Sequence, residues 1–388
     1  MRLKTIQQIK NLSKKRVIVR VDFNVPMKDG QVVDDFKIVQ SLPTIKYLLN
    51  KGAQVLLISH LGRPKGVKSE FSLLPVAKKL GKLLGEKIGF SYFVPERIAK
   101  EFIDKKVVLL ENVRFLEGEE KNSALLAQRL AKLGNILVFD GFGVSHRHSA
   151  SVTGVAKYLP TYAGLLLEKE IDGLSKIIDK PKKPLVAIIG GAKTETKIPI
   201  LRKMLNKADH ILIGGGIFNT YLWAKGYKIG DSLVDKKFKK EILKICQSHK
   251  VILPVDVVVG DKMGKNTQII SLQQGKYHLP AGASIFDIGP ETVARFSTYI
   301  KRANTLIMNG ALGYFEQPAY KHGTFAITRL FASRSKGKAF GVAGGGETVE
   351  ILQKLDLCAD VDLVSTGGGA MLEFLSGDTL PGIKIVNK

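Results

Sequence analysis

Short runs rich in valine, isoleucine and leucine recur along this whole chain, separated by longer segments whose apolar residues follow the helical period. The runs Arg16 to Val21, Gln54 to Ser59, Val107 to Leu110, Ile136 to Phe139, Leu185 to Ile189, His210 to Ile213, Val251 to Leu253, Thr305 to Met308 and Asp362 to Ser365 are nearly continuous in apolar residues. That is the mark of strands covered on both faces. Leu42 to Leu49, Leu73 to Leu84, Ala124 to Leu133, Phe238 to Ser248 and Thr348 to Leu355 carry helical spacing between them. Strand and helix in alternation build parallel sheets joined by crossover helices. The expected fold is α/β, with two Rossmann-like domains, each a parallel sheet covered by helices on both faces, joined by a helical hinge.

Two domains also suit 388 residues, at roughly 150 per domain. The best boundary is Asp179-Lys-Pro-Lys-Lys-Pro184, which separates a helical stretch from about Tyr162 to Ile178 from the next strand. With 45% hydrophobic and 24% charged residues the composition is that of a globular protein and excludes a disordered or collagenous chain. No apolar run approaches the roughly 18 residues that cross a bilayer, and the basic start MRLKTIQQIKNLSKKRV lacks the apolar core of a secretory signal. A cytoplasmic protein without a membrane partner is expected. Cys246 and Cys358 have no CxxC spacing, so neither a disulfide framework nor a zinc site is indicated, and buried inert thiols are expected.

The net charge of +25 raises nucleic acid as a partner. Residues 1–180 hold 31 basic against 18 acidic side chains and residues 181–388 hold 29 against 17, so the excess is spread evenly. A diffuse surplus attracts anions in general and marks no binding stripe. The single tryptophan, Trp223, reads as a packing residue, and no nucleic-acid partner is expected.

The two halves punctuate their strands differently. In the first, Arg20-Val-Asp22-Phe-Asn24, Ser59-His60-Leu-Gly-Arg63-Pro64, Glu111-Asn-Val-Arg114 and His146-Arg147 each follow an apolar strand. Ligands of open parallel sheets bind beyond the carboxyl ends of the strands, so Arg20, Arg63, Arg114, Arg147, His60 and His146 converge on one rim. Several arginines together suit a small ligand with more than one negative charge. Asp22 and Asn24 could bond a hydroxyl of that ligand, or Asp22 could pair with a neighbouring arginine.

In the second half, Gly190-Gly191, Gly214 to Gly216, Gly344 to Gly346 and Gly367 to Gly369 each close an apolar strand. Glycine lets the backbone approach a ligand, and a helix start offers N–H groups to phosphate. Neither the Walker GxxxxGK[ST] spacing nor GxGxxG is present. Lys193 and Lys197, four apart at a helix start, could both face phosphates or both be solvated. Glu347 and Thr348 could hold Mg²⁺ and a phosphate, or be an ordinary first-turn acid and its neighbour. A polyanion grip and a nucleotide platform in one chain point to a phosphotransferase.

The segments RVDFNVP (20–26), SHLGRP (59–64), ENVRF (111–115), GGAK (190–193), GGG (214–216), DIGP (287–290), the NG and FE of 309–316, and STGGGA (365–370) resemble the phosphoglycerate kinase family over essentially the whole chain. The resemblance implies reversible phosphoryl transfer between ATP and 3-phosphoglycerate in glycolysis, by a magnesium-dependent monomer whose domains close about a hinge. It implies that Arg20, Asp22, Asn24, Lys37, His60, Arg63, Arg114 and Arg147 hold the glycerate substrate. Lys193, Lys197, Gly289, Asn309, Glu316, Gly345, Gly346, Glu347 and Thr348 would hold nucleotide, with Glu316 on the ribose and Glu347 on the metal. Lys37, Lys193 and Gly346 would face the transferring phosphoryl. The implied organisation is a 3-phosphoglycerate domain at 1–165, a connecting helix and linker at 166–183, a nucleotide domain at 184–370, and a tail at 371–388 that returns to the first domain.

The chain departs from the family pattern at four places. Lys37 stands where arginine is usual, Glu347 where aspartate is usual, Ser149 where histidine is frequent, with His148 one place early, and Ala311 where proline is common. The alternative these changes raise is a catalytically weakened homologue that binds nucleotide or a protein partner.

Overall fold

The computed structural model describes residues 2–273, 279–280 and 282–387. They form two compact units, Met1–Asp172 with Thr379–Lys388, and Gly173–Asp378.

The first unit holds a six-stranded parallel sheet in the order Gly89–Ser91, Val107–Leu110, Gln54–Ile58, Arg16–Arg20, Ile136–Phe139, Thr161–Ala163. Alternate strand residues feed opposite faces, which makes two cores. Val17, Val19, Val55, Leu57 and Leu109 pack with Ile38, Ile45 and Leu48 of the helix Phe36–Asn50 and with Val76 and Leu80 of Leu74–Leu84. Ile18, Leu56, Val108 and Leu137 pack on the other face with Ile98 of Pro95–Glu101 and Leu126 and Leu130 of Ala124–Ala131. Residues from the end of the chain complete this unit. Lys4 N–H donates to Val386 O at 2.7 Å, Gly382 N–H donates to Ser145 O at 2.7 Å, and Leu3 bridges Asn387.

The second unit holds a six-stranded parallel sheet in the order Val251–Ile252, His210–Ile213, Leu185–Ile189, Thr305–Asn309, Phe340–Gly344, Leu363–Val364. Counted along the chain this is the 3-2-1-4-5-6 order of doubly wound nucleotide-binding sheets. The helices Thr194–Lys207 and His322–Ser335 bury Leu201 and Met204, and Ile327 and Phe331, respectively. A three-stranded antiparallel sheet, Gln268–Ser271, Asp256–Gly260 and Ser284–Ile288, adds to the parallel frame. It was not expected, because its outer strand Gln268–Ser271 is largely exposed and carries no buried-strand pattern.

Every strand expected from the sequence is present, several with ends shifted by a residue or two. Edge strands Gly89–Ser91 and Thr161–Ala163 were missed because three residues carry no period, and Phe340–Gly344 because two glycines and an alanine dilute its apolar signal. The linking helix runs Leu165–Ile178, so Tyr162 belongs to a strand. The segment that enters the first unit begins at Thr379, later than 371, because Gly368–Ser376 is a helix of the second unit. Cys246 and Cys358 are partly exposed, which corrects the expectation of buried thiols. Burial nevertheless pushes the Cys246 thiol up to about 12, so it stays protonated. No helix among the described residues is long and apolar enough to cross a membrane.

Candidate functional site

In the first sheet the chain leaves Arg16–Arg20 toward Gln54–Ile58 and returns later on the other side as Ile136–Phe139. Connections diverge at that point, which opens a crevice at the carboxyl ends. Arg20 sits there, 2% exposed. Its Nε–H donates to Ser151 Oγ at 2.8 Å, one Nη donates to Val21 O, and the other lies 3.5 Å from His60 Nδ1. Asp22 accepts from Lys37 Nζ at 2.8 Å, and its other oxygen is 3.9 Å from His60 Nδ1. Burial opposes ionisation of Asp22, yet the Lys37 charge and its hydrogen bond, with the Asn24 N–H, outweigh it and hold the carboxyl well below the usual range. The stability contributed by this pairing is therefore present at neutral pH and is lost only as pH falls through that depressed value. Burial lowers His60 far below its ordinary value, so it is a neutral imidazole.

Asn24 and Arg114 clasp the loop of SHLGRP. Gly62 N–H donates to Asn24 Oδ1 at 2.8 Å, and an Arg114 Nη donates to Gly62 O. Gly62 has φ +61°, and a side chain there would strike the Phe71 ring, so glycine is required. Burial and Arg147 bring Arg114 down to about 10, and it remains cationic. Arg147 is half-buried and Arg63 exposed. Buried His146 Nδ1 has no hydrogen-bond partner, and burial followed by Arg147 lowers its pKa. The structure thus gathers Arg20, Asp22, Lys37 and His60 into one bonded group, with Arg114 and Arg147 acting on it electrostatically, and leaves Arg63 at its edge.

In the second sheet the corresponding divergence lies between Leu185–Ile189 and Thr305–Asn309. Lys197, 8% exposed, donates to Asn309 Oδ1, and Asn309 Nδ2 donates to Gly344 O at 2.7 Å. Ala311 N–H donates to Glu347 Oε2 at 3.1 Å, and Gly310 N–H donates to Thr348 Oγ1 at 2.7 Å. Burial lowers the Lys197 pKa while the nearby Glu347 carboxylate raises it. Beside this group lies a cavity of about 410 Å³. Gly191, Gly215, Gly216, Glu316 and Glu347 line its rim, and apolar groups such as Phe218, Leu233, Val257, Phe286 and Tyr314 line its walls. An apolar slot edged by bare backbone suits a flat heterocycle that carries phosphates.

The glycine clusters have two uses. Gly191 N–H donates to Ala311 O at 2.6 Å and Gly215 N–H donates to Leu312 O at 2.9 Å, so the loops that follow three of the strands touch backbone to backbone. Gly345, at φ +94°, and Gly346 open the helix Gly346–Lys354. Gly367 to Gly369 open the helix Gly368–Ser376, and of the expected nucleotide residues only Glu316 and Glu347 line the cavity itself, Lys193, Lys197, Asn309, Gly345, Gly346 and Thr348 lying outside its lining. Lys193 is exposed at the start of Thr194–Lys207.

Gly289 lies outside the cavity lining, and its position has a packing cause. Asp256 caps the helix Pro290–Arg302 by accepting from Glu291 N–H at 3.0 Å and Thr292 N–H at 2.7 Å, and a Cβ on Gly289 would collide with that carboxylate. Gly289→Ala is expected to cost about 1–3 kcal/mol of stability through overpacking and loss of the cap. Thermal unfolding checks this, and an unchanged melting temperature would remove the cap from the account.

Among the described residues no three His, Cys, Asp or Glu side chains come together as a metal cage. Glu347 presents one carboxylate at the cavity rim, which fits a Mg²⁺ that keeps waters and nucleotide phosphates as its other ligands. Sequence reasoning did not find the apolar walls, because Phe286 and Tyr314 are two residues in separate loops and strands with no shared motif. It also missed Glu119 and Ser151, whose link to Arg20 depends on tertiary placement.

A basic rim on one α/β unit and an apolar slot edged by glycine backbone on another define a kinase acting on a small polyanion. The model of the family described as phosphoglycerate kinase matches residues 6–378. A phosphoglycerate kinase of Thermosipho africanus (strain TCF52B) is 46% identical over 99% of this chain and 98% of its own length. That of Moorella thermoacetica (strain ATCC 39073 / JCM 9320) is 44% identical over 96% of both. The solved phosphoglycerate kinase structure from Coxiella burnetii superposes with a TM-score of 0.85 at 38% identity, covering 99% of each chain. The one from Pyrococcus horikoshii OT3 gives 0.87 at 30% identity, covering 99% of this chain and 98% of that one. The chain belongs to the phosphoglycerate kinase family.

Proposed function

We propose that this enzyme transfers a phosphoryl group reversibly between ATP and 3-phosphoglycerate, making ATP from 1,3-bisphosphoglycerate in the glycolytic direction. The observation that carries the reading is the bonded group of Arg20, Asp22, Lys37 and His60 at the strand ends of one sheet, with Arg114 and Arg147 beside it. Its cations outnumber its anions, which leaves N–H donors for a ligand's phosphate and carboxylate. Nucleotide is assigned to the second unit, with phosphates toward Lys193, Lys197 and the N–H groups of Gly345 and Gly346, ribose toward Glu316, and Asn309 holding Lys197. Glu347 would hold Mg²⁺ brought with the nucleotide phosphates. The metal supplies charge neutralisation to the transferring group, while the lysines and backbone N–H groups do so without reorganising. No feature of the described residues favours the alternative of a homologue that binds without turnover.

A coupled assay of ADP formation from ATP and 3-phosphoglycerate tests the reading, and a folded chain without turnover would sink it. Arg63→Ala and Arg114→Ala are expected to weaken 3-phosphoglycerate binding roughly ten- to hundredfold, as losing a charge-assisted hydrogen bond does, with ATP affinity nearly unchanged. Calorimetric titration of each ligand checks this, and normal binding of 3-phosphoglycerate by both variants would make the rim structural.

A further inference from the structure

Glu119 is a buried carboxylate, 3% exposed, in the loop between Val113–Phe115 and the helix Ala124–Ala131. Its Oε1 accepts from Ser151 Oγ at 2.6 Å and its Oε2 from Ser151 N–H at 2.9 Å. Ser151 Oγ accepts in turn from Arg20 Nε–H at 2.8 Å. The serine proton is thus committed to Glu119, which fixes the hydroxyl lone pairs toward Arg20. Glu119 has a second hold on the same turn, since Ala150 N–H donates to its backbone oxygen at 3.0 Å. Arg20 needs such support, being buried with Arg147 as a like-charged neighbour and Glu119 and Asp22 as the opposing charges.

Resting on the reading of Arg20 as a ligand of the glycerate substrate, we propose that Glu119 and Ser151 are positioning residues. They form a carboxylate–hydroxyl relay that aims the Arg20 guanidinium at the substrate anion. Neither touches the ligand. Each acts through Arg20, so their loss weakens the glycerate side of the reaction and spares the nucleotide side. Glu119→Gln is a sharp probe of this, because glutamine has one acceptor oxygen where two are used. Its amide must either face the Ser151 N–H, donor to donor, or donate to Ser151 Oγ, which turns the serine proton away from the carboxylate oxygen that now accepts it.

The full-length chain is assayed with both substrates, and each variant is checked by circular dichroism. Ser151→Ala and Glu119→Gln should raise KM and Kd for 3-phosphoglycerate about tenfold, the loss expected for one bond to a charged group, and leave KM for ATP unchanged. Ser151→Thr, which restores the hydroxyl, should recover most of the affinity. In an Arg20→Ala background, adding Ser151→Ala should cost nothing further, because the two act as one unit. A further loss of the same size in that background would overturn the relay, as would equal damage to both substrates or a Ser151→Ala chain that does not fold. Wild-type chain that turns over 3-phosphoglycerate beside an unaffected Ser151→Ala variant would sink the relay alone. Wild-type chain without that activity would sink the functional reading beneath it.

Discussion

Replacement of Lys197 by alanine is expected to reduce turnover by about 10²- to 10³-fold, the effect of removing one preorganised donor from a developing negative charge. Lys197 is 8% exposed, tied to Asn309 and beside the Glu347 carboxylate, so its ammonium is held in place before any ligand arrives. A charge fixed in this way acts on phosphates without the reorganisation that water would require. Lys197 is tied to Asn309 as a single-point donor, and Lys197→Arg should recover little of the loss because a planar fork is wider than an ammonium. ATP affinity should fall as well, with 3-phosphoglycerate affinity unchanged. Steady-state kinetics and calorimetry check both, and near-normal turnover in Lys197→Ala would take this lysine out of the reaction.

Lys37→Ala is expected to lower turnover by at least about tenfold, equivalent to about 1.4 kcal/mol of lost transition-state stabilisation. The Lys37 side chain is 27% exposed, and its Nζ is directed onto Asp22 at 2.8 Å rather than into solvent. That contact gives the substitution a second consequence, since Asp22 loses the charge that keeps it ionised and its pKa should rise. The double variant Lys37→Ala with Asp22→Asn, compared with Asp22→Asn alone, separates the two effects. If it turns over more slowly than Asp22→Asn, the lysine acts on the phosphoryl group. If the two turn over equally, Lys37 serves only to neutralise Asp22. Lys37→Arg should keep activity, because charge is retained and the guanidinium can reach the same carboxylate.

What could be read from the sequence follows from how each signal is encoded. Buried strands of four or five apolar residues, such as Val107–Leu110 and Leu185–Ile189, announce themselves because both faces must be hydrophobic. The three-residue edge strands Gly89–Ser91 and Thr161–Ala163 do not, since their pairing is decided by the sheet beside them. The arginines at strand ends were legible because a charged residue after an apolar run has one place to go. Ser151 and Glu119, 32 positions apart, were not, because nothing local distinguishes a hydroxyl that orients an arginine from one that caps a turn. Gly289 shows the opposite case, a motif glycine whose place is explained by the Asp256 cap against it.

The pairing of Lys4 with Val386 and of Gly382 with Ser145 sets a timetable for synthesis. On the ribosome, Met1–Asp172 emerges first, but the residues that close it, from Thr379 onward, follow only after Gly173–Asp378 has been made. At about 5–20 residues per second that interval lasts roughly 10–40 s. Throughout it, Lys4 N–H and Ser145 O await their chain partners. The nascent first unit should therefore stay sensitive to protease long after its sheet could form, and a ribosome-stalled chain ending before Thr379 should be cut where the released chain resists.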